Sequence, residues 1–78
     1  MFIVYSMQNC PHCVGAKELL KARGHSFQVL MAGEDFTREE LIERLGPVRT
    51  LPQIVLEQAD GSTQYIGGFT DLQKHLAG

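Results

Sequence analysis

Apolar residues enter the chain in short blocks whose internal spacing changes from one block to the next. Phe2-Ile3-Val4-Tyr5 is unbroken, the pattern of a strand buried on both faces. Val14, Ala16, Leu19 and Leu20 then supply one apolar helical face. Asn9 or Cys10 is placed to cap that helix, and Pro11 suits its first position, where a missing N–H costs nothing. Gly24 is positioned to end it. Ser26-Phe27-Gln28-Val29-Leu30-Met31 predicts a second strand. Thr37-Arg38-Glu39-Glu40 has the form of a capping box, with Phe36 and Leu41 spaced as a hydrophobic staple around it. That second helix runs through Leu45 and stops at Gly46-Pro47. Gln53–Glu57 and Thr63–Ile66 flank Asp60-Gly61 and predict a hairpin with a loop longer than two residues. Thr70-Asp71-Leu72-Gln73 opens a last helix ending near Gly78, with Thr70 as a suitable cap.

The order is β-α-β-α-β-β-α. Its opening βαβ unit calls for a parallel pair with a right-handed crossover, and the later hairpin for an antiparallel pair. An α/β fold with a four-stranded mixed sheet flanked by three helices accommodates both. Order alone does not fix which strand lies beside which.

Composition narrows the function. Seventy-eight residues make one core, so a single domain over residues 1–78 is expected; a chain this short buries only about 60% of its unfolded surface. With 44% hydrophobic and 21% charged residues it has an ordinary globular composition. The net charge of −2 argues against a nucleic-acid partner, because neutralising phosphates takes a clustered Lys/Arg surface. Met1–Tyr5 is too short for a secretory core and lacks a basic leader, and no run approaches the roughly 20 apolar residues of a membrane span. A cytoplasmic monomer without membrane contact is expected.

The chemistry concentrates at Cys10-Pro11-His12-Cys13, which holds the only two cysteines. Two thiols one helical turn apart, between a strand and a helix, read as a redox dithiol. Their closeness in sequence rules out a fold-stapling role. A cysteine at a helix start faces unpaired backbone N–H groups and the positive end of the dipole, so its thiolate is favoured and its pKa falls below about 8.5. A closed zinc site would need four ligands, and the three histidines lack the spacing to complete one. No metal is therefore expected within one chain.

Three separated motifs together resemble the glutaredoxin family. Cys10-Pro11-His12-Cys13 is similar to its Cys-Pro-Tyr-Cys, with His12 in place of tyrosine. Thr50-Leu51-Pro52 resembles its Thr-Val-Pro, and Gly67-Gly68-Phe69-Thr70-Asp71-Leu72 its Gly-Gly-x-x-Asp segment. The resemblance covers the whole chain, whose length is like that of the short bacterial and phage members.

It implies a thioredoxin-like fold and a thiol–disulfide oxidoreductase, with Cys10 as attacking thiol and Cys13 as resolving thiol. Glutathione would be the co-substrate, with no tightly bound cofactor. Substrates would be protein disulfides and glutathionylated mixed disulfides, ribonucleotide reductase being a family-level candidate. Pro52 would have a cis peptide bond beside the thiols, leaving Leu51's backbone to pair with a substrate's peptide groups. Gly67 and Gly68 would admit the γ-glutamyl end of glutathione, the helix start meeting its carboxylate and Asp71 its ammonium. His12 would cover the site as the family's tyrosine does, while Tyr5, Tyr65 and Phe69 read as core or pocket wall. Family members often carry a lysine three residues before the first cysteine; here that residue is Met7. Arg49 is placed to supply the charge for the glycyl carboxylate, or else is a solvated loop arginine. Two other family behaviours stay open: electron donation from a thioredoxin-reductase-like flavoenzyme, and a dimer bridged by an iron–sulfur cluster.

Overall fold

The computed structural model describes residues 1–78. Seven elements follow in the expected order: β1 (Phe2–Ser6), α1 (Pro11–Ala22), β2 (Phe27–Met31), α2 (Arg38–Leu45), β3 (Gln53–Glu57), β4 (Thr63–Gly67) and α3 (Phe69–Ala77). The four strands form one mixed sheet in the order β2-β1-β3-β4. β1 is parallel to β2, with Phe2 opposite Phe27 and Ser6 opposite Met31. It is antiparallel to β3, with Phe2 opposite Leu56 and Tyr5 opposite Gln53. β3 and β4 close the sheet as an antiparallel hairpin.

The central place of β1 explains its unbroken apolar run. Successive side chains of a strand point to opposite faces, and here both faces are covered. Phe2 and Val4 join Ala16, Leu20, Ile54 and Leu72 on one side, and Tyr5 joins Phe36, Leu41 and Val55 on the other. Leu20, Ile54 and Leu72 are wholly enclosed, each contributing about 1.5–3 kcal/mol of burial. α2 starts as its sequence dictates. The Thr37 hydroxyl accepts from the Glu40 N–H at 3.2 Å, and the Glu40 carboxylate accepts from the Thr37 N–H at 3.0 Å. Phe36 and Leu41 meet in one buried cluster, as a staple requires.

Four local expectations are corrected. Val14 is half exposed rather than on the buried face of α1, which consists of Cys13, Ala16 and Leu20. The i, i+3, i+7 stripe begins at the cysteine, and this turns Val14 outward. Thr70 does not cap α3. The helix starts one residue earlier, at Phe69, with Gly68 as its cap residue, and the Asp71 carboxylate accepts from the Gly68 N–H at 3.0 Å. An irregularity between Ile54 and Val55 sets Ile54 opposite Gly67 and Val55 opposite Tyr65, so β4 runs on to Gly67. Tyr65 is neither core nor pocket wall: it is 52% exposed and its hydroxyl donates to the Gln53 side chain. No helix is long and apolar enough to cross a membrane.

Candidate active site

Cys10 is the residue that caps α1. Its backbone is extended (φ −119°, ψ 99°), Pro11 follows at the first helical position, and the Cys13 N–H donates to the Cys10 sulfur at 3.3 Å. Asn9, at φ 55°, makes the turn into the helix, in a left-handed conformation that asparagine tolerates better than most residues. The two cysteines are joined as a disulfide, their Cα atoms 5.2 Å apart. Cys13 is 1% exposed, whereas Cys10 is only partly buried. An incoming sulfur therefore reaches Cys10 first.

The Leu51 carbonyl oxygen lies 3.6 Å from the Cys10 sulfur. When Cys10 is reduced and protonated this oxygen can accept its S–H, which opposes ionisation. The Cys13 N–H and the helix start favour the thiolate. The sulfur thus sits between one acceptor and several donors, and the donors are the group that α1 supplies whenever the helix is formed.

The Leu51–Pro52 peptide bond is cis. Pro52 is buried, and the loop before it is tied down by Gln53, whose amide donates to the Thr50 carbonyl at 2.7 Å. Gln53 is itself held by the Tyr65 hydroxyl. The sequence reading missed this supporting pair. Its signal was a glutamine opening a strand that is otherwise apolar on both faces.

Beside the disulfide lies a groove of about 330 Å³. His12 and Phe69 form part of its wall, Thr50, Leu51 and Pro52 another part, and Gly68, Thr70 and Asp71 line the remainder. The His12 and Phe69 rings are 5.8 Å apart and tilted by 35°. Phe69 also lies over α1 at Gly15, where an added Cβ would come within 3.3 Å of the ring. Gly67 is buried and does not line the groove, but it makes room for it. Its φ of 119° suits only glycine, and a Cβ there would fall 2.8 Å from the Asp71 carboxyl carbon.

Cys10, Pro11 and Cys13 border a separate hollow of about 590 Å³ with Met7, Val14 and Lys17. Arg49 is exposed and lines a third, of about 540 Å³, together with Met7 and Arg38. Thr50 and Leu51 are shared between that hollow and the groove. In the sequence Arg38 reads only as a middle position of the α2 capping box, although a cation at the first position of a helix runs against the dipole and is for that reason a signal. No three His, Cys, Asp or Glu side chains cluster as metal ligands.

A disulfide at the first turn of a helix, beside a cis-proline at the start of a strand in a mixed sheet, defines a thioredoxin-like thiol–disulfide oxidoreductase. Comparison with known proteins narrows this. The glutaredoxin family model matches residues 2–59. Glutaredoxin 3 of Escherichia coli (strain K12) is 43% identical over 70 residues, spanning 88% of this chain and 77% of its own. Glutaredoxin 1 of the same strain is 38% identical over 76 residues, spanning 88% and 84%. The solution structure of glutaredoxin from Brucella melitensis matches with a TM-score of 0.71 at 33% identity, covering 97% of this chain and 77% of that one. A buckwheat glutaredoxin–glutathione complex matches with a TM-score of 0.74 at 23% identity, covering 97% and 68%, a likeness of fold. The chain belongs to the glutaredoxin family of thiol–disulfide oxidoreductases.

Proposed function

We propose that this chain is a glutathione-dependent oxidoreductase that reduces protein disulfides and glutathionylated mixed disulfides through Cys10 and Cys13. The observation that carries the reading is the groove beside the disulfide. It runs from the Leu51 backbone to the start of α3 and ends at Asp71. Glutathione has the matching sequence of groups: a cysteinyl peptide unit, then a carboxylate and an ammonium. The carboxylate faces the unpaired N–H groups at the start of α3, and Asp71 pairs with the ammonium.

The Cys10 thiolate attacks one sulfur of the substrate disulfide, forming a mixed disulfide and releasing the other sulfur as a thiolate. The Cys13 thiolate then attacks the Cys10 sulfur. This frees the substrate's second thiol and leaves the Cys10–Cys13 disulfide. Two electrons have passed to the substrate, and its two thiolates take up protons. One glutathione thiolate opens the protein disulfide to give glutathionylated Cys10, and a second removes that group as glutathione disulfide. On a glutathionylated substrate Cys10 alone suffices, the glutathione moiety lying in the groove.

The protein acts in this reading as a single-domain cytoplasmic monomer over residues 1–78, with ribonucleotide reductase among its candidate substrates. Arg49 takes the glycyl carboxylate in place of the lysine that Met7 displaces. That same displacement supports a second reading, in which a thioredoxin-reductase-like flavoenzyme is the main electron donor. NADPH oxidation separates the two. Coupling through glutathione and its reductase should sustain disulfide reduction, thioredoxin reductase should not, and Cys10→Ser should abolish the activity. Sustained turnover with thioredoxin reductase alone would overturn glutathione dependence.

A further inference from the structure

Ser6, the last residue of β1, is 1% exposed, and its hydroxyl is the buried side-chain group that meets no hydrogen-bond partner. An unpaired hydroxyl inside a core is destabilising, and alanine would fill the same place without that cost. Side chains alternate along a strand, so Ser6 shares with Phe2 and Val4 the face of β1 that packs on Ala16 and Leu20. α1 runs back along this face. His25, just after its end, meets the Phe2 ring at 5.3 Å, so the end of α1 lies at the start of β1 and its beginning lies at Ser6. The buried residue at that beginning is Cys13, likewise 1% exposed. Ser6 and Cys13 therefore share the level of the core nearest the disulfide. The resolving step asks Cys13 to become a thiolate there, where burial disfavours the charge. Its own N–H is directed at the Cys10 sulfur. The neighbours that β1, β3 and α3 add on this face are Val4, Ile54 and Leu72, all apolar. Lys17 is the one charged side chain on the hollow that Cys10 and Cys13 border.

We propose that the Ser6 hydroxyl is the hydrogen-bond partner of the Cys13 sulfur in the reduced protein and in the resolving step, and stands unpaired only while the disulfide is closed. A hydroxyl both accepts and donates. It accepts the Cys13 S–H, and once that proton has gone it donates to the thiolate, keeping its own proton throughout. The Cys13 thiolate attacks the Cys10 sulfur, the bond from Cys10 to the substrate sulfur breaks, and the proton that Cys13 gave up ends on the departing thiolate. No further reactant is needed. The proposal rests on the reading of Cys13 as resolving thiol and adds a consequence for the pair. A bond made only in the dithiol form favours that form and raises the reduction potential.

The test is Ser6→Ala, with Ser6→Thr as the variant that keeps the hydroxyl. Each protein is equilibrated with dithiothreitol redox buffers, quenched in acid, alkylated, and its dithiol and disulfide forms are counted. Ser6→Ala should favour the disulfide about tenfold more than the parent does, a potential lower by about 30 mV. Ser6→Thr should stay near the parental value. Chemical denaturation of the two redox forms should move in opposite directions. The oxidised Ser6→Ala protein should be at least as stable as the oxidised parent, having lost an unpaired hydroxyl, and the reduced one less stable than the reduced parent, having lost a paired one. A hydroxyl with only a packing role would shift both forms alike. An unchanged potential in Ser6→Ala would overturn the proposal, as would an equal loss of stability in both forms. A potential that moves in Lys17→Met and not in Ser6→Ala would overturn it too, assigning the support of Cys13 to the lysine. Exchanged roles of the two thiols would show in the activities of Cys10→Ser and Cys13→Ser, whereas the potential belongs to the pair and reports on Ser6 in either case.

Discussion

In the proposed reading Asp71 has two tasks for one carboxylate, capping α3 and meeting the ligand ammonium, and two substitutions separate them. Its oxygen accepts the Gly68 N–H at 3.0 Å, and the same group faces the groove. Asp71→Asn keeps an oxygen for Gly68 and removes the charge. Asp71→Ala removes both. The charge at the start of α3 is worth about 0.3–1 kcal/mol to the helix, and the cap about 1 kcal/mol more. The Gly68 N–H is near solvent, so water offsets part of its loss. In a domain of this size 1 kcal/mol moves Tm by about 4–8 °C. Thermal unfolding should therefore place Asp71→Asn within a few degrees of the parent and Asp71→Ala lower by a further step of about that size. For the ligand the difference is the charge alone. A carboxylate–ammonium pair at a partly exposed position contributes about 1 kcal/mol, or roughly fivefold in affinity. Steady-state assays with a glutathionylated substrate should show both variants with KM raised by that factor and kcat unchanged, because the ammonium is held equally before and during sulfur transfer. An Asp71→Asn protein with unaltered KM would refute the ligand role. Equal Tm values for the two variants would refute the cap.

The other predictions concern the thiols, the glycyl end and acid stability. Cys13→Ser should retain turnover of glutathionylated small disulfides while losing most protein-disulfide reduction; a Cys13→Ser variant dead on both beside an active Cys10→Ser would reverse the roles of the two thiols. Thiolate absorbance titrated on that same variant should show Cys10 ionising below about 8.5, the donors at the helix start outweighing the Leu51 carbonyl. Arg49→Ala should raise the KM for glutathione several-fold and Met7→Lys should lower it comparably, both effects shrinking in high salt; kinetics indifferent to both would remove Arg49 from the site. The Asp60 carboxyl is held below its ordinary value of 3.8 by hydrogen bonds from the Ser62 hydroxyl and N–H. A pKa depressed by folding gives stability that is present above the unfolded value and is lost as pH falls through the folded one. Asp60→Asn should accordingly lower stability slightly at neutrality, where the ionised carboxylate contributes, and flatten the curve on its acid side below about pH 4 so that variant and parent converge there, as chemical denaturation across that range would report.

Features fixed by neighbouring residues were legible in the sequence. The Thr37–Glu40 box, the Phe36–Leu41 staple and Pro11 at the first turn of α1 are local arrangements, and a local pattern specifies them. Val14 is the first aliphatic residue of α1, but the buried stripe begins one residue earlier, at Cys13, and leaves Val14 outside. Cys13 joins that stripe because the folded chain encloses it, which residue type alone does not specify. Thr70 was a reasonable cap by residue type, yet the irregularity in the β3–β4 pairing carries β4 on to Gly67 and leaves Gly68 to begin the turn of helix. The strand order β2-β1-β3-β4 is long-range and stayed open in the sequence; the meeting of Thr50-Leu51-Pro52 with Gly68 and Asp71 is long-range too, and only the motif resemblance anticipated it. Arg38 and the Gln53–Tyr65 pair carried weaker signals, a cation against a dipole and a polar residue in an apolar strand. Neither belongs to a motif.

Gly15 has a consequence for anyone seeking a more robust version of this protein. Alanine in the interior of a helix is favoured over glycine by about 1 kcal/mol, so Gly15→Ala would stand near the top of any scheme for hardening α1 against heat. Yet its Cβ would sit 3.3 Å from the Phe69 ring, and that ring would have to withdraw by a few tenths of an ångström from the wall it shares with His12. The cheapest gain in thermal tolerance thus lies directly beneath the groove. Robustness at this helix and the shape of the groove are drawn from the same small volume, and engineering one without surveying the other would reshape the groove wall.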